Sequence, residues 1–234
     1  IDRSRGLGDV YKRQIINYSP SEFAFDYKGC KKCYYDTKIN NIILKTPFPG
    51  AFSKFDREQK KYYNNKSSKI ISKDLEDGVI VSNYNKKLKS KILYDKKKRP
   101  FTLGGFIDAY IDHKNSYTVV DFKTTTISEE EPVKYKAQLQ CYAMIMENPA
   151  EGSLKLNPVK NLGILCFDPG EITQVNETDC DFKMNTKWFN INRDDDELLS
   201  YITEVQDLLH QTKAPPITKS CKICEFREKI KHEK

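Results

Sequence analysis

Residues 104–126 read GGFIDAYIDHKNSYTVVDFKTTT, and this stretch decides the predicted fold. Two runs rich in aromatic and β-branched residues, 106–111 and 117–124, flank the polar residues 112–116. Such runs are typical of strands, and a polar gap of this length is typical of a hairpin turn. The stretch predicts a β-hairpin, and because helical patterns lie on both sides of it, the predicted class is α/β.

Charged side chains interrupt both predicted strands. Successive side chains of a strand point to opposite faces, so Asp121 and Lys123 share one face and Val120 and Phe122 share the other. Asp108 lies in the facing strand. Two such carboxylates suit a hard divalent cation such as Mg²⁺, and a lysine beside them can orient a water or neutralise a phosphate oxygen. The alternative is a half-exposed hairpin whose outer face carries an ordinary ion pair.

A helix is predicted directly after the hairpin, over residues 133–147. The acidic residues 129–131 and Pro132 precede it, which is usual for a helix start because acids favour the first turn. Gln138 and Tyr142 are four residues apart on this helix, so their side chains share one face.

Three motifs carry a resemblance to a known family. G-x-I-D at residues 105–108, D-F-K-T at residues 121–124 and Q-x-x-x-Y at residues 138–142 resemble the PD-(D/E)XK nuclease superfamily, and within it the RecB-like branch. That branch includes helicase-associated recombination nucleases and four-cysteine CRISPR-associated nucleases. Three motifs in this order are far more specific than a D-x-K triplet alone. The resemblance implies a mixed central β-sheet flanked by helices, as in the restriction-endonuclease-like core.

The resemblance also implies catalytic roles for the hairpin residues. Asp108 and Asp121 would bind Mg²⁺ or Mn²⁺, and the backbone carbonyl of Phe122 would complete the protein ligands. Lys123 would position or activate the attacking water. Phosphodiester hydrolysis needs these parts, because the phosphate must be polarised and a water must become nucleophilic at neutral pH.

Residues outside the hairpin complete the predicted site. Gln138 and Tyr142 would hold the substrate or steer the catalytic lysine. Relatives often place a histidine or an acid on a helix that precedes the hairpin, and the helix predicted over residues 51–63 offers Asp56. The alternative for Asp56 is an ordinary solvated helix face, where acids among lysines are common.

Two C-x-x-C pairs lie near opposite ends of the chain, Cys30 with Cys33 and Cys221 with Cys224. The chain has 7 cysteines and no signal-peptide pattern, which indicates a reducing, cytoplasmic location and favours metal binding over disulfides. Paired C-x-x-C units are a strong signal of a four-thiolate metal site. Their wide separation is unusual for a zinc ribbon, but some RecB-like relatives join an N-terminal helix to the C-terminus through a four-cysteine iron–sulfur cluster.

The cysteine arrangement leaves the metal open. The iron–sulfur pattern places one cysteine near the N-terminus and three near the C-terminus, whereas this chain has two and two. A 4Fe-4S cluster and a Zn²⁺ ion bound by two C-x-x-C units therefore both fit. Two unrelated reduced pairs are a further alternative. Either metal would join the N- and C-terminal regions.

Composition sets the remaining expectations. A formal charge of +7 over 234 residues suits a nucleic-acid partner without requiring one, and no apolar run of membrane-spanning length is present. Residues 1–14 look foreign to the rest, so the prediction is a non-native or disordered tail followed by a single nuclease-like domain over residues 15–234. The lysine-rich residues 86–99 either contact a phosphate backbone or form a solvated sheet edge.

The predicted function is a metal-dependent nuclease that hydrolyses phosphodiester bonds in DNA, working beside a helicase or an integrase. Two alternatives remain. One is a non-catalytic nucleic-acid-binding module that keeps the nuclease fold. The other is a zinc-stabilised adaptor in which the hairpin is only scaffold. Strand preference, polarity and exonuclease or endonuclease action depend on the shape of the substrate channel, which the sequence does not show.

Overall fold

The computed structural model describes residues 15–43 and 49–232, with side chains up to residue 229. The predicted tail at residues 1–14 lies outside this part. The strands are β1 (Ile16–Tyr18), β2 (Val79–Val81), β3 (Leu88–Lys89), β4 (Leu93–Tyr94), β5 (Pro100–Gly105), β6 (Ala109–Asp112), β7 (Tyr117–Thr124), β8 (Val159–Gln174) and β9 (Cys180–Ile191). The helices are α1 (Pro20–Ala24), α2 (Asp26–Gly29), α3 (Lys31–Ile39), α4 (Gly50–Tyr63), α5 (Glu131–Glu147), α6 (Asp195–Leu209) and α7 (Lys222–His232), with a 3₁₀ turn at Ser68–Ile70.

The described strands form two sheets. The larger has the order β2-β6-β7-β8-β9, in which β7 and β8 are parallel and the other neighbours are antiparallel. In the smaller sheet β5 lies between β1 and β3 and also pairs with β4, and only β1 runs parallel to β5. The predicted α/β class with a mixed sheet and flanking helices is confirmed.

Two apolar cores lie on opposite faces of the larger sheet. Helices α5 and α6 and the N-terminal helices pack on one face, where the buried side chains include Phe23, Tyr34, Val119, Leu139, Ile145, Leu162 and Ile202. Helix α4 packs on the other face, where the buried side chains include Tyr63, Ile80, Val120, Phe122 and Phe167. The alternation predicted for the second hairpin strand is therefore correct, because Val119 and Val120 enter different cores.

Helix α5 is the central helix of the fold. It begins at Glu131, with Pro132 in its first turn, as the acidic start predicted. Every residue from Gln138 to Met146 is buried. A helix that is buried on all sides lies inside a layered core, and its polar side chains must therefore find partners within the protein.

The first strand of the hairpin differs from its prediction. The predicted strand covered residues 106–111, but β6 begins at Ala109, so Asp108 precedes the strand. The physical reason is that the Asp108 side chain takes the place of a main-chain acceptor in the strand pairing. Its carboxylate accepts a 3.0 Å hydrogen bond from the Phe122 N–H. Tyr142 also donates to the carbonyl of Phe106, which draws this segment towards α5.

Other elements differ in continuity and length. The N-terminal helical segment is broken after Ala24 and continues as α2 and α3. Residues 88–94 include the short strands β3 and β4. The apolar residues 162–167 belong to the much longer β8, whose distal half is exposed. Among the described residues, no helix is long and apolar enough to cross a membrane.

Gly163 gives the first testable prediction, because a methyl group has no room there. A Cβ added at Gly163 would lie 2.2 Å from the Trp188 ring and 2.6 Å from the Phe189 carbonyl oxygen. Overpacking of this kind forces neighbours out of their rotamers, so Gly163→Ala is expected to lower the free energy of unfolding by about 1–3 kcal/mol. Urea unfolding followed by circular dichroism measures this change.

The matched control is Gly50→Ala, because a Cβ at Gly50 meets nothing within 4 Å. This residue lies at the exposed start of α4, where alanine favours a helix. Its unfolding midpoint should stay the same or rise. Equal unfolding midpoints for Gly163→Ala and Gly50→Ala would contradict the close packing of Gly163 against Trp188 described above.

Candidate functional site

The two carboxylates of the hairpin lie on neighbouring strands. Ala109 pairs with Val120 across β6 and β7, so Asp108 comes next to the position opposite Asp121. Asp121 is almost fully buried, with 3% of its surface exposed, while the Asp108 side chain is 18% exposed. The strands thus bring together one buried and one partly open carboxylate at the point where β6 begins.

Lys123 lies beside Asp121, as the alternation of β7 requires. Its Nζ lies 2.5 Å from Asp121 Oδ2 and 4.6 Å from the centre of the Tyr135 ring. Burial opposes the charged form of Lys123, but the Asp121 and Asp108 carboxylates outweigh burial and raise its pKa. Lys123 therefore keeps its proton at neutral pH, which suits charge neutralisation and water orientation better than proton abstraction.

The surroundings of Asp121 disfavour the charged form of its carboxyl group. Burial is the main cause that raises its pKa to about 7, and the Asp108 carboxylate adds to the effect, whereas Lys123 opposes it. Two carboxylates that converge in a buried volume each make ionisation of the other harder. A cation between them would favour the doubly ionised pair, and such a strongly perturbed group is typical of functional sites.

Two residues of α5 hold this arrangement in place. Gln138 Nε2 donates a 3.1 Å hydrogen bond to Asp121 Oδ1, and both groups are buried. Tyr142 donates its hydroxyl hydrogen to the Phe106 carbonyl, two residues before Asp108. The predicted role of these residues was to hold substrate or steer Lys123. Their observed contacts are instead to Asp121 and to the main chain that leads to Asp108.

The motif analysis missed Lys60 on α4. Lys60 Nζ lies 2.8 Å from Asp108 Oδ1 and 2.9 Å from Asp56 Oδ1. Asp56, predicted to face the metal site directly, reaches Asp108 through this lysine. The only sequence signal was the four-residue spacing of Asp56 and Lys60, which places both on one helix face. Nearby, Gln59 of α4 donates to Thr124 of β7 over 3.1 Å, which fixes α4 against the hairpin.

Phe122 has two contacts that its prediction did not include. Its N–H donates to Asp108, and its ring packs against Tyr63 and Phe167 in the α4 core. The role of its carbonyl oxygen as a metal ligand stays a prediction.

A second Asp-Phe-Lys triplet shows how much the surroundings matter. Asp181, Phe182 and Lys183 lie on β9, and all three are exposed. This triplet has the same alternation as residues 121–123, but it faces solvent on the distal half of the hairpin formed by β8 and β9. Burial and the facing Asp108 distinguish the candidate site from a chance repeat of its sequence.

The four predicted cysteines form one cluster. The sulfur atoms of Cys30, Cys33, Cys221 and Cys224 all lie within 4.8 Å of one another, and the Cys33 and Cys224 sulfurs are 3.5 Å apart. Cys30 and Cys33 lie at the start of α3, and Cys224 lies in α7. The cluster therefore joins the N- and C-terminal regions, as predicted.

The surroundings of the cluster favour a thiolate at Cys30 and a fixed geometry, whereas burial raises the pKa of Cys33 and of Cys224. Burial opposes ionisation of Cys30, but hydrogen bonds with Thr218, the Cys33 main chain and the neighbouring thiols lower its pKa to about 6. A thiolate at neutral pH is the form that binds metals. Arg227 of α7 forms a 3.0 Å ion pair with the buried Asp36 of α3, which holds the two cysteine-bearing helices together.

The lysine-rich residues 86–99 are largely neutralised in their C-terminal half. Lys96 pairs with Asp196 and Lys97 pairs with Asp207, both over 2.7 Å. Arg99 also bonds to Asp207, over 2.8 Å. These contacts attach the segment to α6. The charges of Lys96, Lys97 and Arg99 are therefore paired within the protein and are not free to bind a phosphate backbone.

The comparisons with known proteins identify the class. The chain matches the PD-(D/E)XK nuclease superfamily over residues 43–228 and belongs to it. The chain is therefore a nuclease-like protein. No curated protein matches it. One solved structure, reported as the crystal structure of SSO0001, is 12% identical with a TM-score of 0.47, over 96% of this chain and 94% of that chain.

Proposed function

We propose that the chain is a Mg²⁺- or Mn²⁺-dependent deoxyribonuclease of the RecB-like branch, with its active site at Asp108, Asp121 and Lys123. The observation that supports this most is the convergence of two carboxylates and a protonated lysine on one buried face of β7, with Lys123 Nζ 2.5 Å from Asp121. A structural ion pair would need only one acid. The second acid supplies a further oxygen ligand for a cation, and a carboxyl group with a pKa as strongly raised as that of Asp121 is typical of functional sites.

The donor set fits a divalent metal ion. Asp108 and Asp121 offer hard carboxylate oxygens, which Mg²⁺ and Mn²⁺ prefer, and the partly open Asp108 gives access from solvent. Lys60 and Lys123 neutralise the two carboxylates in the arrangement described above. When bound, the metal supplies Lewis-acid polarisation of the scissile phosphate and lowers the pKa of a bound water.

The residues of the site have different proposed roles. Asp108 and Asp121 would hold the cation through their carboxylate oxygens. Lys123, which keeps its proton, donates hydrogen bonds to the water or to a phosphate oxygen and neutralises developing negative charge. Gln138 keeps Asp121 in one rotamer, so that the carboxylate is positioned before the substrate arrives. Burial of the site by α5 makes each charge interaction stronger than it would be in water.

The four-cysteine cluster is proposed to hold a single Zn²⁺ ion. A tetrahedral Zn²⁺ with bonds of about 2.3 Å places its sulfur ligands about 3.8 Å apart. The observed separations, 3.5 Å between Cys33 and Cys224 and 3.7 Å between Cys30 and Cys224, fit that geometry. In a 4Fe-4S cluster each thiolate binds a different iron, which spreads the sulfurs further apart. The proposed role is structural, because the cluster uses all four thiolates and leaves no open position.

The test of the function is cleavage of end-labelled single-stranded DNA, double-stranded DNA and RNA by the purified protein. Reactions contain Mg²⁺, Mn²⁺ or EDTA, and the product ladder separates exonuclease from endonuclease action. Cleavage of DNA that requires the metal supports the proposal. Binding of DNA without cleavage under any metal would favour the non-catalytic binding module, and neither binding nor cleavage would favour the zinc adaptor. A helicase or integrase partner and a cytoplasmic location stay predictions.

Gln138 provides a sharper prediction about positioning. Gln138→Leu removes the hydrogen bond to Asp121 and keeps the buried volume nearly constant. Loss of such an outer contact is expected to reduce Mn²⁺ affinity or cleavage rate by about 10–100-fold. Because the buried Asp121 Oδ1 then loses this hydrogen-bond donor, the free energy of unfolding should also fall by about 1–3 kcal/mol, so cleavage rates are compared well below the melting temperature.

The measurement is a set of cleavage rates across a Mn²⁺ titration, beside Tyr142→Phe. The phenylalanine variant loses the contacts of the Tyr142 hydroxyl with the Phe106 carbonyl and with Gln138, but it keeps the hydrogen bond from Gln138 to Asp121, so its effect should be smaller. Full activity of Gln138→Leu at every Mn²⁺ concentration would show that Asp121 needs no support from α5.

A further inference from the structure

Phe25, Lys28 and Lys134 form a solvent-facing group beside the proposed active site, which we call the Phe25 patch. Phe25 lies at the end of α1 and is 46% exposed. Lys134 Nζ lies 5.5 Å from the centre of the Phe25 ring, and the Lys134 side chain is 41% exposed. Lys28 Nζ lies 3.5 Å from the Lys134 carbonyl oxygen. The half-exposed Phe25 ring therefore lies next to one cation, Lys134, and a second cation, Lys28, lies beside the main chain of Lys134.

The patch is linked to Lys123 through one buried ring. The centre of the Tyr135 ring lies 5.7 Å from that of Phe25, in an edge-on contact, and 4.6 Å from Lys123 Nζ. Phe25 is thus at most on the order of 10 Å from Lys123, which is about three base steps of a stacked strand. A strand whose scissile phosphate lies at Lys123 would have its next nucleotides over this patch.

Core packing does not account for the patch. The buried Tyr135 already seals the core at this point, with 4% of its surface exposed. The Lys134 Nζ lies 3.9 Å from the Glu131 carboxylate, which is a long distance for an ion pair. Lys28 is exposed and donates to an uncharged group, the Lys134 carbonyl. Exposed apolar surface with two cations nearby matches the chemistry of a nucleotide, which has a π face and a phosphate.

We infer that the Phe25 patch is a substrate subsite, in which Phe25 stacks on one unpaired base while Lys28 and Lys134 hold the adjoining phosphates. This inference rests on the proposed nuclease function. Stacking on an aromatic side chain tolerates any base, so the subsite recognises an unpaired nucleotide rather than a sequence. A base inside a duplex has both faces covered, so the patch selects a strand that is single or frayed beside the scissile bond.

The experiment measures binding of a fluorescent single-stranded oligonucleotide by anisotropy without added Mg²⁺ or Mn²⁺, so that no metal-dependent cleavage occurs and the four-cysteine cluster keeps its metal. Phe25→Leu keeps apolar bulk against Tyr135 but removes the stacking face, and it should weaken binding about tenfold. Phe25→Trp should restore binding. Lys134→Ala should lower the slope of log affinity against log salt concentration by about 0.7. Tyr94→Leu is the control. Tyr94 is also exposed, by 57%, but it lies on β4, where it pairs with Pro100 at the start of β5, and it does not belong to the Phe25 patch.

Cleavage by the same variants separates the two claims. If the parent cleaves DNA and Phe25→Leu binds and cleaves single strands as the parent does, the subsite is refuted and the nuclease remains. An equal loss in Tyr94→Leu would also refute it, because the effect would not belong to the patch. If the parent neither binds nor cleaves DNA, the proposed function and the subsite both fail. The supporting result is a loss in Phe25→Leu that is larger on single-stranded than on blunt double-stranded DNA.

Discussion

Asp121→Asn is expected to reduce metal-dependent DNA cleavage by about a thousandfold or more while the chain stays folded. Asparagine keeps the shape of the side chain and its contact with Gln138, so the buried position remains filled. It removes the negative charge that would hold the cation and that raises the pKa of Lys123. Loss of an electrostatic group from a catalytic centre commonly costs about 100–1,000-fold, and loss of the cation itself costs more.

Lys123→Ala should give a loss of similar size, because charge neutralisation at the phosphate and water orientation both depend on its ammonium group. The chain offers an unusually close control, since Asp181 and Lys183 repeat the same triplet on an exposed strand. Asp181→Asn and Lys183→Ala should cleave as fast as the parent. Equal losses at both triplets would mean that general charge, not the buried site, determines activity.

Cys221→Ser is expected to release the bound metal and to produce the largest loss of stability among these variants. Removing one of four thiolates leaves an incomplete site, and structural zinc sites contribute about 10–16 kcal/mol of binding free energy in small zinc domains. The cluster joins α3 to the C-terminal region, so its loss should also loosen the attachment of α7. The ion pair between Arg227 and Asp36 would then be the remaining described link between α7 and α3.

Metal content by mass spectrometry and the melting temperature test this expectation. Zinc should be present at one ion per chain in the parent, whereas iron with labile sulfide would support the 4Fe-4S alternative. Cys180→Ser is the control, because Cys180 is an exposed free thiol on β9, outside the cluster. Unchanged metal content and melting temperature in Cys221→Ser would show that the four thiols bind no structural metal.

The central hairpin was predictable because its information is local. The two-residue alternation of β7 fixed which face Asp121 and Lys123 share, and the structure places their charged groups in contact. Helix α5 was predictable for the same reason, from its acidic start and proline. The pairing of distant cysteines was predictable because thiols at that spacing have few other uses in a reducing compartment.

Long-range packing set what the sequence did not show. Lys60 reaches Asp108 only because α4 packs on the outer face of β7, and no local pattern predicts that contact. The displacement of Asp108 from β6 depends on a side-chain hydrogen bond to the neighbouring strand. The length of β8 has no local signal, because its distal half is polar and exposed, so apolar alternation, the usual signal of a strand, is absent there.

The most direct test of the central claim is the Mn²⁺ dependence of DNA cleavage by the parent beside Asp108→Asn. Asp108 is the partly open carboxylate, so its variant should fold normally and fail at the metal. The proposed site predicts cleavage by the parent that saturates with Mn²⁺ and stops with EDTA. In the variant, cleavage should be lost, or should require much higher Mn²⁺. Cleavage by Asp108→Asn with the same rate and the same Mn²⁺ dependence as the parent would contradict it.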